Sequence, residues 1–152
     1  MNIHQATSND LDSLVELFDL YRQFYKQASD LKGAREFLEE RLIKNESVIF
    51  LAFDEGNPVG FTQLFPSFSS VSMKRSWVLN DLYVKETARR KGVAEKLIRR
   101  AIAFAEESEA KGILLETAAD NVNAQKLYEK IGFIKESTYF YYFSIGRMQV
   151  NI

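Results

Sequence analysis

The chain has 152 residues, 46% hydrophobic and 27% charged, which is enough for one substantial core and suggests a single domain over 1–152. Its 20 basic and 21 acidic residues leave a formal charge of -1, so no global field holds nucleic acid and any anion binding falls to local basic clusters. The absence of cysteine excludes disulfides, thiolate metal sites and a cysteine acyl-enzyme, and a single histidine, His4, argues against a metal centre.

Taken in chain order, Asn2 to Ala6 is a short candidate strand, and Met1 to Asp10 is polar and lacks the apolar run of a signal segment. No apolar run approaches the ~20 residues that span a bilayer, so the expectation is a soluble, cytoplasmic protein with no membrane partner. Ser8-Asn9-Asp10 offers capping side chains ahead of a helix whose Leu11, Leu14, Val15, Phe18, Tyr21 and Tyr25 form one stripe. A second helix is predicted over Ala34 to Lys44, carrying Phe37, Leu38 and Leu42.

The period then changes. Val48 to Phe53 and Val59 to Phe65 are β-rich runs joined by the turn-type segment Asp54-Glu55-Gly56-Asn57-Pro58, a hairpin pattern. Ser67 to Ser72 reads as a serine-rich loop. Trp77 to Val84, a helix reaching about Lys111, and Ile113 to Thr117 make a β-α-β unit with parallel strands and a right-handed crossover. Asn123 to Ile131 is the last helix, stopped by Gly132, and Phe133 to Glu136 and Thr138 to Ile145 are expected to close the sheet.

The junction after Val84 carries the strongest functional signal. Leu97, Ile98, Ala101, Ile102 and Ala105 recur at helical spacing on the stretch that opens near Gly92, so Arg89-Arg90-Lys91-Gly92-Val93-Ala94 lies between a strand and a helix N-terminus. Such an N-terminus has amides without intrahelical partners and the positive end of the helix dipole, and the small residues Gly92 and Ala94 leave room for a phosphate. Read alone, Arg89 to Lys91 is equally a solvated basic cluster with Gly92 as a loop glycine.

Arg89-x-x-Gly92-x-Ala94 after Leu82-Tyr83-Val84 resembles the pyrophosphate-binding signature (Gln/Arg-x-x-Gly-x-Gly/Ala) of the GNAT acetyltransferase superfamily. Asn121, Ala124, Leu127-Tyr128-Glu129-Lys130 and Gly132-Phe133 are similar to that family's C-terminal pattern. The two segments stand in the family's order, and together they cover roughly 78–133. The resemblance implies the GNAT fold. That is an α/β arrangement with a central mixed, mostly antiparallel twisted sheet, a parallel splayed strand pair and about four flanking helices.

It also implies acetyl transfer from acetyl-CoA to a primary amine. A carboxylate on or beside the fourth strand would take the amine proton, with Asp81 the first candidate and Glu116 the second, while Asn80 could position a water. Against this, an Asp at a strand end often simply bonds a loop amide. Tyr128 falls where the family's general acid lies, although a helix aromatic can equally pack on the core. An oxyanion would meet a backbone N–H near Leu82 to Val84. Coenzyme A contacts are implied for Leu82, Tyr83, Val84, Arg89, Arg90, Lys91, Gly92, Val93, Ala94, Asn121, Ala124 and Tyr128, though Asn121 also reads as an N-cap. No covalent acetyl-enzyme is expected, since cysteine and a Gly-x-Ser-x-Gly elbow are both missing.

The acceptor is expected to be a small-molecule amine met by Tyr21, Phe24, Tyr25, Phe65 and the serine loop. Tyr21-Arg22-Gln23-Phe24-Tyr25 is similar to a segment of a family branch acting on polyamine-, lysine- or amino-acid-like substrates, and it equally reads as a plain amphipathic helix. A protein lysine or N-terminal acetyltransferase and a non-catalytic acetyl-CoA-binding domain are the alternatives. Thr138 to Ile145 is apolar or aromatic at nearly every position, so a homodimer through the last strands is expected unless the early helices cover the second face.

Overall fold

The computed structural model describes residues 1–146. Five strands form one sheet: β1 (Asn2–Gln5), β2 (Val48–Asp54), β3 (Asn57–Ser69), β4 (Lys74–Val84) and β5 (Ile113–Leu114), in that spatial order. The first four pair antiparallel and β5 runs parallel to β4. The helices are α1 (Leu11–Phe24), α2 (Leu31–Ile43), α3 (Val93–Glu107) and α4 (Val122–Ile131). No helix among the described residues is long and apolar enough to cross a membrane.

The alternation of β2 and β3 divides the interior in two. Phe50, Ala52 and Leu64 face α3, whose Val93, Leu97, Ile98, Ala101 and Ala105 are buried against them. Ile49, Leu51 and Phe61 face the other way, onto Leu14, Leu17 and Phe18 of α1 and Ala34 and Leu38 of α2. The indole N–H of Trp77 donates to Ser108 Oγ at 3.1 Å, tying β4 to the end of α3.

Capping sets the helix starts. The 3-10 turn before α1 is closed by Thr7, whose hydroxyl accepts from Asn9 N while Asp10 accepts from Thr7 N, so Thr7 and Asp10 cap where Ser8-Asn9-Asp10 was expected to. Asp30 accepts from Gly33 N at 2.9 Å and moves the start of α2 back to Leu31. Asp19, buried on α1, accepts from Ser29 Oγ at 2.7 Å, Asp30 N at 2.8 Å and Gln23 Nε2 at 2.9 Å. Burial alone would raise its pKa, but these bonds and the Arg22 charge hold it below the ordinary carboxylate value.

The serine loop is shorter than predicted. β3 runs through Ser69 and β4 begins at Lys74, so the connection is a tight turn over 70–73 in which Met73 N donates to Ser70 O at 3.2 Å.

The C-terminal strands differ more. β5 stops at Leu114, not Thr117, and neither Phe133 to Glu136 nor Thr138 to Ile145 forms a strand. After the Phe133 amide donates to Tyr128 O, residues 134–146 make no backbone hydrogen bond within the described chain. The early helices do not cover this arm; they are occupied with Ile49, Leu51 and Phe61. A strand needs a ladder as well as β-rich side chains, and nothing in the described chain offers one.

Replacing Asp19 with Ala is expected to lower stability by about 1–2 kcal/mol, because three donors lose a buried acceptor. Since the folded-state pKa of Asp19 is lowered, its contribution is present above the ordinary carboxylate value and is lost as pH falls through the folded one. Thermal melts at pH 7 and pH 3 check both points; the gap between wild type and variant narrows at the lower pH.

Candidate active site

A register slip in β4 places the most unusual side chain of the protein. Gln63 pairs with Asp81 but Leu64 pairs with Leu79, so Asn80 is an extra residue, a β-bulge. Trp77 and Leu79 point toward α3, and strict alternation would send Asp81 after them. The extra residue reverses the parity: Leu82 and Val84 join the α3 side, while Tyr83 packs on the α1 side. Asp81 accordingly shares the α1 face with Gln63.

The Asp81 carboxylate is 5% exposed. Gln63 Nε2 donates to Oδ2 at 2.6 Å and Asn80 Nδ2 to Oδ1 at 3.1 Å, and the Thr62 hydroxyl secures the Asp81 carbonyl at 2.8 Å. Burial raises the Asp81 pKa above the ordinary carboxylate value, against the bonds from Gln63, Tyr21 and Asn80. Burial and the neighbouring Asp81 also push the Tyr21 phenol well above its ordinary value, keeping its proton in place. Gln63 Oε1 is buried without a partner, so this network is not fully satisfied.

An aromatic wall continues from this carboxylate along α1. Tyr21 lies edge-on to Phe61 at 5.7 Å and to Tyr25 at 5.2 Å, and Phe24 is edge-on to Tyr25 at 5.4 Å. Phe24 and Tyr25, at the end of α1, are exposed. Phe65 is half-buried two residues beyond Gln63 on the same strand.

On its other edge β4 is open. It pairs with β5 only at Trp77 and Val78, so residues 79–84 have no strand partner on that side. The opening ends at Lys85 and the turn leading to α3. There Arg90 and Gly92 have φ of 66° and 79°, and Gly92 caps α3 with no side-chain hydrogen bond, so the first amides of the helix are left without a cap. Nothing lies within 4 Å of where a Gly92 Cβ would stand. The residue leaves open space before those amides, and its left-handed backbone favours glycine for a second reason. Val93 is buried and Ala94 half-buried, while Arg89, Arg90 and Lys91 are exposed. Arg89 Nε donates to Val84 O at 2.9 Å, and its guanidinium lies 5.6 Å from the Phe24 ring centre.

Across the opening, Asn121 caps α4 by accepting from Ala124 N at 3.3 Å. Tyr128, half-buried about two turns on, packs edge-on to Phe133 at 6.0 Å, and burial with the nearby Tyr25 raises its pKa. The structure thus brings Asp81, Tyr21, Tyr25 and Tyr128 to one mouth of the sheet. It does not bring Glu116 there on a strand: that residue is exposed beyond the end of β5. Gln63 escaped the sequence reading, although Thr62-Gln63 interrupts an otherwise apolar strand and was the available signal.

Three comparisons with known proteins give the family and the fold. A model described as the acetyltransferase (GNAT) family matches residues 14–133. The uncharacterised N-acetyltransferase YhfO of Bacillus subtilis (strain 168) is 46% identical over 142 residues, 93% of this chain and 95% of its own. A crystal structure of a probable acetyltransferase, 46% identical, superposes with a TM-score of 0.92 over 97% of this chain and 100% of its own. An aminoglycoside N-acetyltransferase solved in complex with CoA shares the fold at 19% identity and a TM-score of 0.79, covering 95% of this chain and 94% of its own.

Because burial raises the folded-state pKa of Asp81, its charge opposes folding once pH exceeds that value. Asp81→Asn is therefore expected to melt at the same temperature as wild type or higher at pH 8, with the difference shrinking at pH 4. A Gln63 amide turned over would then accept from the new side-chain amide. A variant destabilised equally at both pH values would show that the carboxylate is fully stabilised by its neighbours.

Proposed function

Because the chain belongs to the acetyltransferase (GNAT) family, we propose that the acetyl group it transfers comes from acetyl-CoA and goes to a primary amine, by direct attack in a ternary complex. The observation that carries this reading is the buried Asp81 carboxylate at the mouth where β4 parts from β5, between an uncapped helix N-terminus and an aromatic wall. Residues 1–152 act as one domain in it, and we place the reaction in the cytoplasm.

Acetyl-CoA is the cosubstrate. Its pyrophosphate meets the free amides of Gly92, Val93 and Ala94 and the cations of Arg89, Arg90 and Lys91, where the helix dipole favours negative charge. Its pantetheine arm follows the open edge of β4 at Leu82, Tyr83 and Val84, with Asn121, Ala124 and Tyr128 on the other side. The complex of the aminoglycoside N-acetyltransferase with CoA, which shares this fold, supports the assignment.

The amine enters along Tyr21, Tyr25 and Phe65. An alkylammonium has a pKa of about 10.4, so deprotonation at neutral pH costs roughly 4 kcal/mol. Asp81 takes that proton, directly or through a water held by Asn80, and its raised pKa makes it a better base than an ordinary carboxylate. Glu116, exposed beyond β5, is the weaker candidate. The amine nitrogen attacks the thioester carbonyl carbon, and the oxyanion meets a backbone N–H of the open β4 edge. The C–S bond then breaks, the thiolate takes the Tyr128 proton, which burial keeps on the phenol at neutral pH, and the second proton of the attacking nitrogen leaves to water and restores the phenol. No step draws on a metal. A small-molecule acceptor is favoured because aminoglycoside acetyltransferases share this fold.

Release of free CoA across a panel of polyamines, amino acids, aminoglycosides and peptides tests the reading. Turnover with peptides alone would move the acceptor to a protein, and binding of acetyl-CoA with no turnover would leave a non-catalytic domain. Tyr128→Phe is expected to keep acetyl-CoA affinity and to lower kcat by roughly ten- to a thousandfold. Gly92→Ala introduces a Cβ that touches nothing in the free protein, so it loses about 1–2 kcal/mol to its left-handed backbone and far more of the acetyl-CoA-induced rise in Tm. A full thermal shift with Gly92→Ala would move the phosphates elsewhere.

A further inference from the structure

Among the described residues four polar side chains are buried: Asp19, Thr62, Gln63 and Asp81. Asp19 joins α1 to the turn before α2. The other three form one cluster, in which the Thr62 hydroxyl donates to the Asp81 carbonyl at 2.8 Å and Gln63 Nε2 donates to the Asp81 carboxylate at 2.6 Å. We propose that Gln63 is a positioning residue for acetyl transfer: its carboxamide holds Asp81 Oδ2 toward the interior, so that Oδ1 is the oxygen presented to the amine. This role rests on Asp81 acting as the base, as proposed above, and names the residue that aims it.

The two oxygens of Asp81 are not equivalent. Oδ2 accepts from Gln63, which is wholly buried, whereas Oδ1 accepts over a longer 3.1 Å from Asn80, which is exposed. A carboxylate is planar and turns about a single bond, so holding Oδ2 inward holds Oδ1 outward. Gln63 itself is out of reach of any substrate, and its effect therefore passes through Asp81. Packing does not call for an amide at this position: a methionine would fill nearly the same space without burying a carboxamide whose Oε1 has no partner. The pairing comes from the β-bulge, since Gln63 stands directly opposite Asp81 in the ladder and the extra Asn80 puts both side chains on the α1 face.

The same hydrogen bond bears on basicity. Donation from Gln63 stabilises the ionised form of Asp81 and so works against burial, which disfavours the charge. Tyr21, on α1, is the titratable group that faces this carboxylate, and its phenol keeps its proton; β3 and β4 contribute the neutral amides of Gln63 and Asn80. Loss of the Gln63 donor therefore has two consequences. The pKa of Asp81 rises further, and the carboxylate is free to turn away from the amine.

Gln63→Met removes the donor and the unpaired Oε1 together, while Gln63→Glu keeps the shape and sets a second carboxyl against the first. An NMR titration of isotope-labelled aspartate carboxyl carbons, with Asp81→Asn to assign the signal, is expected to show the Asp81 midpoint raised by about 1–2 pH units in Gln63→Met. In Gln63→Glu the two carboxyls share a proton, and the higher midpoint of the pair is expected to rise further. CoA release is then followed with whichever of spermidine, lysine, sisomicin and a lysine peptide turns over fastest. The acidic limb of its kcat/KM profile is expected to move with the midpoint, and kcat above both midpoints to fall at least about tenfold in Gln63→Met. A base of higher pKa that was still aimed would keep or raise that kcat, so the fall reports orientation. An Asp81 midpoint that does not rise in either variant, or a kcat above the midpoints that stays at the wild-type value, overturns the proposal. A midpoint that rises while the limb stays, a limb that persists in Asp81→Asn, or no CoA release with any of these acceptors removes Asp81 as the base and the role of Gln63 with it. The titration is read without acetyl transfer, so failure of the Gln63 role and failure of the proposed function are told apart.

Discussion

The separation of β4 from β5 depends on what happens at Asn80, and most of the candidate site follows from it. One extra residue in a strand shifts the pleat by half a period, and every side chain beyond it changes face. Without the bulge, Asp81 would enter the apolar cluster against α3, where an unpaired carboxylate has no donors. With it, Asp81 meets Gln63, Asn80 and Tyr21 on the opposite face, and Leu82 and Val84 take up the α3 packing. The same irregularity lies at the point where β4 leaves its parallel neighbour, so the strand edge becomes free where the carboxylate becomes available.

Packing on the α1 face raises the basicity of that carboxylate. Tyr21 is held by Phe18, Phe61 and Tyr83, and the helix that carries it is fixed to α2 by Asp19 and the Ser29–Asp30 turn. Rigid, mostly apolar surroundings lower the local dielectric and move the Asp81 pKa upward. Gln63 Oε1, buried without a partner beside that carboxylate, leaves one acceptor of the network unpaired.

The turn at Gly92 and the arm over 133–146 differ in how far local chemistry determines them. Gly92, with φ of 79° and no Cβ before the first amides of α3, needs only its own backbone and the helix that follows. The arm has side chains suited to a strand, yet the free energy of a strand resides in its ladder and its covered faces, both of which belong to other segments. A sequence rich in Tyr and Phe therefore specifies that something is to be paired without specifying what pairs with it.

The residue pattern alone reached the individual helices through α4, the hairpin over 48–65, the helix N-terminus at Gly92 and Asn121 as a cap, because periods of 2 and 3.6 and capping chemistry are local properties, while the order of the elements as one fold came with the family resemblance. The resemblance also implied Asp81 and Tyr128 as catalytic candidates and Tyr21 and Tyr25 on the acceptor side. Tertiary structure alone decided that Asp81 faces α1, that Gln63 is its closest donor, that Glu116 lies outside on the surface beyond a two-residue β5, and that residues 133–146 find no edge within the described chain. Each of these depends on register or on a partner distant in sequence. A one-residue slip or a missing edge leaves no trace in the hydrophobic alternation of the strand that undergoes it.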